Sequence, residues 1–131
     1  YLAGSPEVVD IIRRTCVVYS VNTLAQVAAL AAAGDQEHIL RTRELVAQGK
    51  SFLGRELTGL GLEHLINEGN FVMVKLPVSD TLAYRKLMSK GVMIRTMTGF
   101  RFPNWIRISI GPLEALEAFV EALDRTLKEL A

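Results

Sequence analysis

Two arginines stand inside apolar runs, where a charge is unexpected. In residues 91–111, GVMIRTMTGFRFPNWIRISIG, Arg95 sits near the end of VMIRT and Arg107 in the middle of WIRISI. Both runs read as strands, and successive side chains of a strand point to opposite faces. Ile106, Ile108 and Ile110 then share one face, while Trp105, Arg107 and Ser109 share the other. Val92 and Ile94 likewise oppose Met93 and Arg95. If the two strands pair, both arginines can lie on one side of the sheet. A guanidinium stays charged and rarely remains buried without a partner. The plain reading is that each meets solvent or a surface acid. The sharper reading is chemical: a planar fork grips carboxylate or phosphate through two parallel hydrogen bonds. Two forks flanking the polar-aromatic loop TMTGFRFPNW would hold a substrate with two anionic groups.

The elements that must position these forks are legible as a series. Ser5-Pro6-Glu7 reads as a helix start, with a capping serine, proline at the first helical position and an acid in the first turn. That helix runs to about Arg14, and TCVVYSV is extended or irregular. Asn22 is a cap for TLAQVAALAAAG, whose alanine content predicts close packing on both sides. Gly34-Asp35 breaks the run. A helix follows from Gln36 to about Leu57, with Ile39, Leu40, Leu45, Val46 and Phe52 at helical spacing. TGLGLEHLINEGN is a glycine-rich connection around a short apolar segment, and FVMVKLP is a strand ended by proline. A compact helix capped by Ser79 or Asp80 closes at Lys90-Gly91. After the two arginine strands, Pro112 opens a last helix with Leu113, Leu116, Phe119, Val120, Leu123 and Leu127 on its buried side. The sum is α+β: a short sheet covered by helices, preceded by lead-in helices.

Composition excludes several classes. Of 131 residues 50% are hydrophobic and 22% charged, enough for one domain with a real core. The formal charge is +1 with the basic residues scattered, so nucleic acid and anionic membranes are not expected partners. The longest apolar run, around VAALAAA, is too short to span a bilayer. A single cysteine, Cys16, reads as a small core residue and fits a reducing cytoplasm; His38 and His64 lie far apart, and no metal site is expected.

The chain resembles a known family through three stretches: GVMIRTMTGFRFPNWIRISIGPLEALEAFVEAL, GSPEVVDIIRR and YSVNTLAQVAALAA. They are similar to the C-terminal part of class-II, fold-type-I pyridoxal-phosphate-dependent aminotransferases, the histidinol-phosphate enzymes in particular. The resemblance implies the small C-terminal domain of the aspartate-aminotransferase-like fold. Residues 1–34 would be lead-out helices from a large cofactor domain, and residues 35–131 the small domain. It implies that Arg107 grips the substrate α-carboxylate and that Arg95 faces a distal phosphate. Asn22 would be a minor substrate contact, with Tyr19 weaker still. Histidinol phosphate has no carboxylate, so Arg107 would serve the glutamate and 2-oxoglutarate half of the reaction. Thr96 stands where related enzymes often carry proline.

The resemblance further implies pyridoxal phosphate, small-molecule substrates and a homodimer in the full-length enzyme. The Schiff-base lysine belongs to a family motif, S-K-x-x-G-L-A-G-L-R-x-G, that would lie upstream of Tyr1. Within this chain Ser89-Lys90-Gly91 copies only two letters of it and sits at a helix end, where a solvated lysine is expected. Lys50, Lys75, Lys86 and Lys128 have no such context. Transamination by the chain alone, and cofactor binding by it, are therefore not expected. Threonine-phosphate decarboxylase, an aromatic aminotransferase, or a free-standing domain that binds an anionic ligand or partner are the alternatives. Phe100, Phe102 and Trp105 are either exposed on the loop or packed over the site entrance.

Overall fold

The computed structural model describes residues 3–17 and 20–130. The chain divides into two compact units, Tyr1–His38 and Ile39–Ala131. In the first, α1 (Pro6–Thr15) carries proline at its start, but the Ser5 hydroxyl makes no cap hydrogen bond. The helix opens instead on the Ser5 carbonyl, which accepts from Val9 N at 3.0 Å. Asn22 does cap α2 (Thr23–Gly34): its Oδ1 accepts from Ala25 N at 2.8 Å. The close packing expected of α2 is absent within this unit, where Leu24 is 83% and Leu30 80% exposed. Two helices alone cannot enclose an apolar side chain, and Cys16, expected in a core, is exposed for the same reason. Tyr19 lies outside the described residues.

The second unit is built on a four-stranded antiparallel sheet of order β1-β2-β4-β3. The strands are β1 (His64–Ile66), β2 (Phe71–Lys75), β3 (Arg95–Thr96) and β4 (Trp105–Ser109). β1 falls in the stretch read as a connection. Three residues are too few to show a period, and it forms only as the outer partner of β2, across a turn where Asn67 Oδ1 accepts from Gly69 N at 2.9 Å. The expected strand VMIRT contracts to Arg95–Thr96, because the chain leaves the preceding helix through Gly91 at φ +81° and Val92 N still bonds the Leu87 carbonyl.

Three helices complete the unit: α3 (Gln36–Gly59), which enters it at Ile39, α4 (Asp80–Ser89) and α5 (Leu113–Leu130). Val72, Val74, Ile106 and Ile108, all on one face of the sheet, meet Leu53, Leu57, Ala83, Leu87, Leu116, Phe119 and Leu123 from these helices in a single core. Only the second half of α3 takes part. Ile39, Leu40 and Leu45, expected on a buried stripe, are exposed, since α3 outruns the short sheet beneath it. Leu113 is exposed for a similar reason, standing at the first turn of α5 before the helix reaches the core. Where α3 does pack it packs closely: a Cβ on Gly49 would stand 2.5 Å from Ile110 Cγ2.

Candidate functional site

The site is the face of the sheet that the helices leave open. Register puts Leu65, Met73, Arg107 and Arg95 in one row across the four strands. Arg95 and Arg107 are direct cross-strand partners, so their side chains leave the same face at neighbouring positions. Like charges placed directly opposite repel. Among the described residues neither guanidinium is ion-paired with a carboxylate; each lies instead over an aromatic ring. Arg107 Cζ is 5.2 Å from the centroid of Phe71, and Arg95 Cζ is 5.3 Å from that of Phe100. A ring face attracts a guanidinium and fixes its plane without using its hydrogen-bond donors. Both forks therefore keep free N–H groups for an anion.

A hollow of about 760 Å³ beside β3 is lined from both sides of the sheet: Arg95, Arg107 and Ser109 belong to the open face, and Ile108, Leu116 and Phe119 to the core side. Arg95, Arg107, Ser109 and Thr96 give it polar groups, and Tyr84, Phe100 and Phe119 are among its apolar walls. No carboxylate and no lysine lines it. A concave surface holding two unneutralised cations suits a doubly anionic small molecule.

Sequence reasoning missed how the loop after β3 is held. Asp80, read as a possible cap, is the first residue of α4 and is 1% exposed. Its Oδ2 accepts from Met97 N at 3.0 Å and Thr98 N at 2.9 Å, and its Oδ1 from Thr98 Oγ1 at 2.6 Å. Burial pushes its carboxyl up. The hydrogen bonds from the Thr98 hydroxyl and from the amides of Thr98, Met97 and Thr81 outweigh that and hold it below the ordinary aspartate value. The one available signal was an aspartate at a helix start 17 residues before the loop, which a cap explains equally well. The roles of Phe71 and Phe100 under the arginines also escaped notice. Phe102 and Phe100 are about half exposed, and Trp105 is half-buried.

The other lysines do as surface lysines do. Lys75 pairs with Glu63 at 2.8 Å and Lys128 with Asp124 at 2.6 Å. Lys90 and Lys86 reach Glu129 at 2.7 and 3.4 Å, tying α4 to α5. Asn22 belongs to the first unit, where its Oδ1 is engaged in the cap. Among the described residues no three His, Cys, Asp or Glu side chains converge as metal ligands. No helix among them is long and apolar enough to cross a membrane.

The family model for aminotransferase class I and II matches residues 1–123. The chain belongs to this family. It is 37% identical to histidinol-phosphate aminotransferase 1 of Cupriavidus pinatubonensis over 131 residues, covering 98% of this chain and 35% of that one. To the histidinol-phosphate aminotransferase of Moorella thermoacetica it is 35% identical over 127 residues, covering 97% and 33%. The chain thus spans about a third of the length of the curated relatives it matches. The fold is similar to the histidinol-phosphate aminotransferase of Clostridium acetobutylicum, with TM-score 0.83, 20% identity, and 94% of this chain against 38% of that one. It is similar too to the Sinorhizobium meliloti enzyme in complex with pyridoxal 5'-phosphate, with TM-score 0.80, 25% identity, and 96% against 35%. The structural neighbours are fold-type-I aminotransferases, and the second unit is a small α+β structure of that class.

The family depends on pyridoxal phosphate, which supplies an electron sink for carbanion chemistry. The hollow's lining does not fit a site for its aldehyde, because no lysine lines it.

Proposed function

We propose that this chain is the substrate-anchoring end of a pyridoxal-phosphate-dependent aminotransferase that transfers the amino group between histidinol phosphate and 2-oxoglutarate. The observation that carries this is the cross-strand pair Arg95–Arg107, two forks with no carboxylate between them on the open face of the sheet. In this reading Arg107 donates two parallel hydrogen bonds to the carboxylate of glutamate or 2-oxoglutarate, and Arg95 takes the phosphate of the amino alcohol. The rings of Phe71 and Phe100 hold each fork in plane. Residues 1–34 would lead out of the cofactor domain and residues 35–131 form the small domain, with Asn22 a minor substrate contact. The Schiff-base lysine would belong to another part of a homodimeric, cytoplasmic enzyme, and the 131-residue chain alone would be inactive. The relatives' names and the family match support the reaction class.

The test is a pair of half-reactions in the full-length enzyme, followed by cofactor absorbance. Arg107→Gln should lower kcat/KM for glutamate by about a hundredfold, since losing one side of a charged, hydrogen-bonded pair costs about 2–5 kcal/mol. Arg95→Gln should do the same for histidinol phosphate. Faster turnover of phosphothreonine or phenylalanine than of histidinol phosphate would defeat the substrate assignment while keeping the fold. Transamination by purified residues 1–131 would defeat the anchoring-only role.

A further inference from the structure

β3 is a poor platform for a substrate anchor. It pairs with β4 through two residues only, Arg95 and Thr96, and it is the edge of the sheet. One more ladder bond, Met97 N to the Trp105 carbonyl at 3.0 Å, continues the pairing before the chain turns into a single 3-10 turn at Thr98–Phe100. That turn exits through Arg101 at φ +66°, a left-handed conformation costly for a residue with a side chain. Phe100, whose ring lies over Arg95, is carried by this turn and is itself about half exposed. Ladder bonds are few here, although Ile94 and Met97 on either side of β3 are buried. A buried carboxylate on another element also ties the segment: Asp80 accepts one hydroxyl and two backbone amides from Met97 and Thr98, sharing the Met97 N–H with the Trp105 carbonyl.

We propose that Asp80 is a positioning residue for Arg95, acting through the 97–100 turn, and that it sets the enzyme's grip on the phosphate end of its amino donor without touching the substrate. This rests on the reading of Arg95 as the phosphate anchor. The geometry gives the effect a direction. Asp80 holds Met97 and Thr98, the residues immediately after β3, and Phe100, whose ring lies over Arg95, hangs from the same turn through its N bonded to the Met97 carbonyl at 2.9 Å. Arg107 lies in the middle of β4, bonded to β2 over five register pairs, and stacks on Phe71 of β2, so its placement does not depend on the turn. Loosening Asp80 should therefore split the two halves of the reaction.

An aspartate suits this task for a stated reason. Its two oxygens only accept, so all three donors can converge on one side chain, and a charged acceptor strengthens each bond. Its place in the first turn of α4 also sets the charge against the positive end of the helix. Asparagine has nearly the same shape but presents an NH2 group to one of these donors.

The experiment uses the full-length enzyme loaded with its cofactor. Asp80→Asn, Thr98→Val and Arg95→Gln are compared in the histidinol-phosphate and glutamate half-reactions. Thr98→Val is the conservative arm: Thr98 is exposed, and the change removes one donor while leaving both amides. Asp80→Asn should lower kcat/KM for histidinol phosphate by tenfold or more, mainly through KM, and move that for glutamate by less than threefold. Thr98→Val should show the same selectivity at about two- to threefold. Equal losses in both half-reactions, or no loss in either, would overturn the proposal, as would a selective effect of Asp80→Asn that Thr98→Val fails to share. A loss on Arg95→Gln with Asp80→Asn silent removes this inference alone. Arg95→Gln leaving histidinol phosphate untouched removes the anchor reading and this inference with it.

Discussion

The two faces of the sheet use the same strands for opposite purposes. In β4, Ile106 and Ile108 are buried in the core, while Trp105, Arg107 and Ser109 point to the open side. In β2, Val72 and Val74 are buried while Phe71 and Met73 are half-buried beside the arginines. The helix-covered face gains stability by removing aliphatic surface from water. The open face does the reverse: it sets two cations side by side, an arrangement that costs stability unless an anion lies between them. One face holds the fold together, and the other is carried by it.

This contrast is breakable in the first instance by a pair of alanine substitutions. Ile106→Ala should destabilise the protein by about 2–5 kcal/mol, because a fully buried side chain leaves a cavity in the helix-covered core that close packing cannot refill. Arg107→Ala, one residue on, should change stability by no more than about 0.5 kcal/mol, and relief of the like-charge pair makes a small gain the expected sign. Urea denaturation of both variants checks this. Comparable losses would mean that the arginine face contributes to the fold and is not merely carried by it.

Asp80 sharpens the same comparison, being a charge that belongs to the buried side. Its carboxyl lies below the ordinary aspartate value in the folded protein, so the unfolded chain binds a proton more readily. The stabilisation is then fully present above the unfolded-state value of about 3.9 and is lost as pH falls through the lowered native value. Asp80→Asn should cost about 1–3 kcal/mol at pH 7, the penalty for leaving buried donors poorly matched. The gap between wild type and variant should close as pH falls through the lowered native value. A gap that persists unchanged at low pH would show that shape rather than charge holds the turn.

Much of this was legible beforehand, and the limits are physical. A period of two in WIRISI puts Arg107 opposite the isoleucines in any sheet, so the existence of two unlike faces could be read directly. Asn22 as a cap and Gly91 as a helix exit are local events, decided within a few residues, and the structure has both. Register is not local. Nothing in VMIRT says that Arg95 will face Arg107 rather than Ser109, and that one choice brings the two forks together. The Asp80 tie is also non-local, and an aspartate at a helix start already has a sufficient local explanation. The exposed first half of α3 escaped because an amphipathic stripe shows which side a helix would bury but not how far its partner extends.

The helix-covered face can be probed more finely through the glycine that lets α3 approach it. Gly49→Ala would put a methyl group 2.5 Å from Ile110 Cγ2 and 3.0 Å from Leu116 Cδ1, so backbone or core must shift. Overpacking of this kind costs about 1–3 kcal/mol, and the gain of up to about 1 kcal/mol from replacing a helical glycine offsets part of it. A net loss near 1 kcal/mol is expected. Gly59→Ala in the same helix has nothing within 4 Å and should lose nothing, which separates close approach from helix propensity. Equal behaviour of the two would mean that α3 slides outward without penalty.

The smallest expected effect lies where the buried side departs from its own rule. Thr126 on α5 is wholly buried, yet its hydroxyl has no hydrogen-bond partner. A buried hydroxyl without a partner has given up its water and received nothing in exchange, whereas a methyl group of the same shape gives up nothing. Threonine and valine have similar volumes and similar helix propensities, so Thr126→Val isolates that one polar atom. The substitution should raise stability by up to about 1 kcal/mol, seen as a higher urea midpoint with an unchanged slope. Because Thr126 does not line the hollow, kcat/KM for both half-reactions should stay as it was. A loss of stability would mean that the hydroxyl has found a partner in solution, and the core under the arginine face would then be partly polar after all.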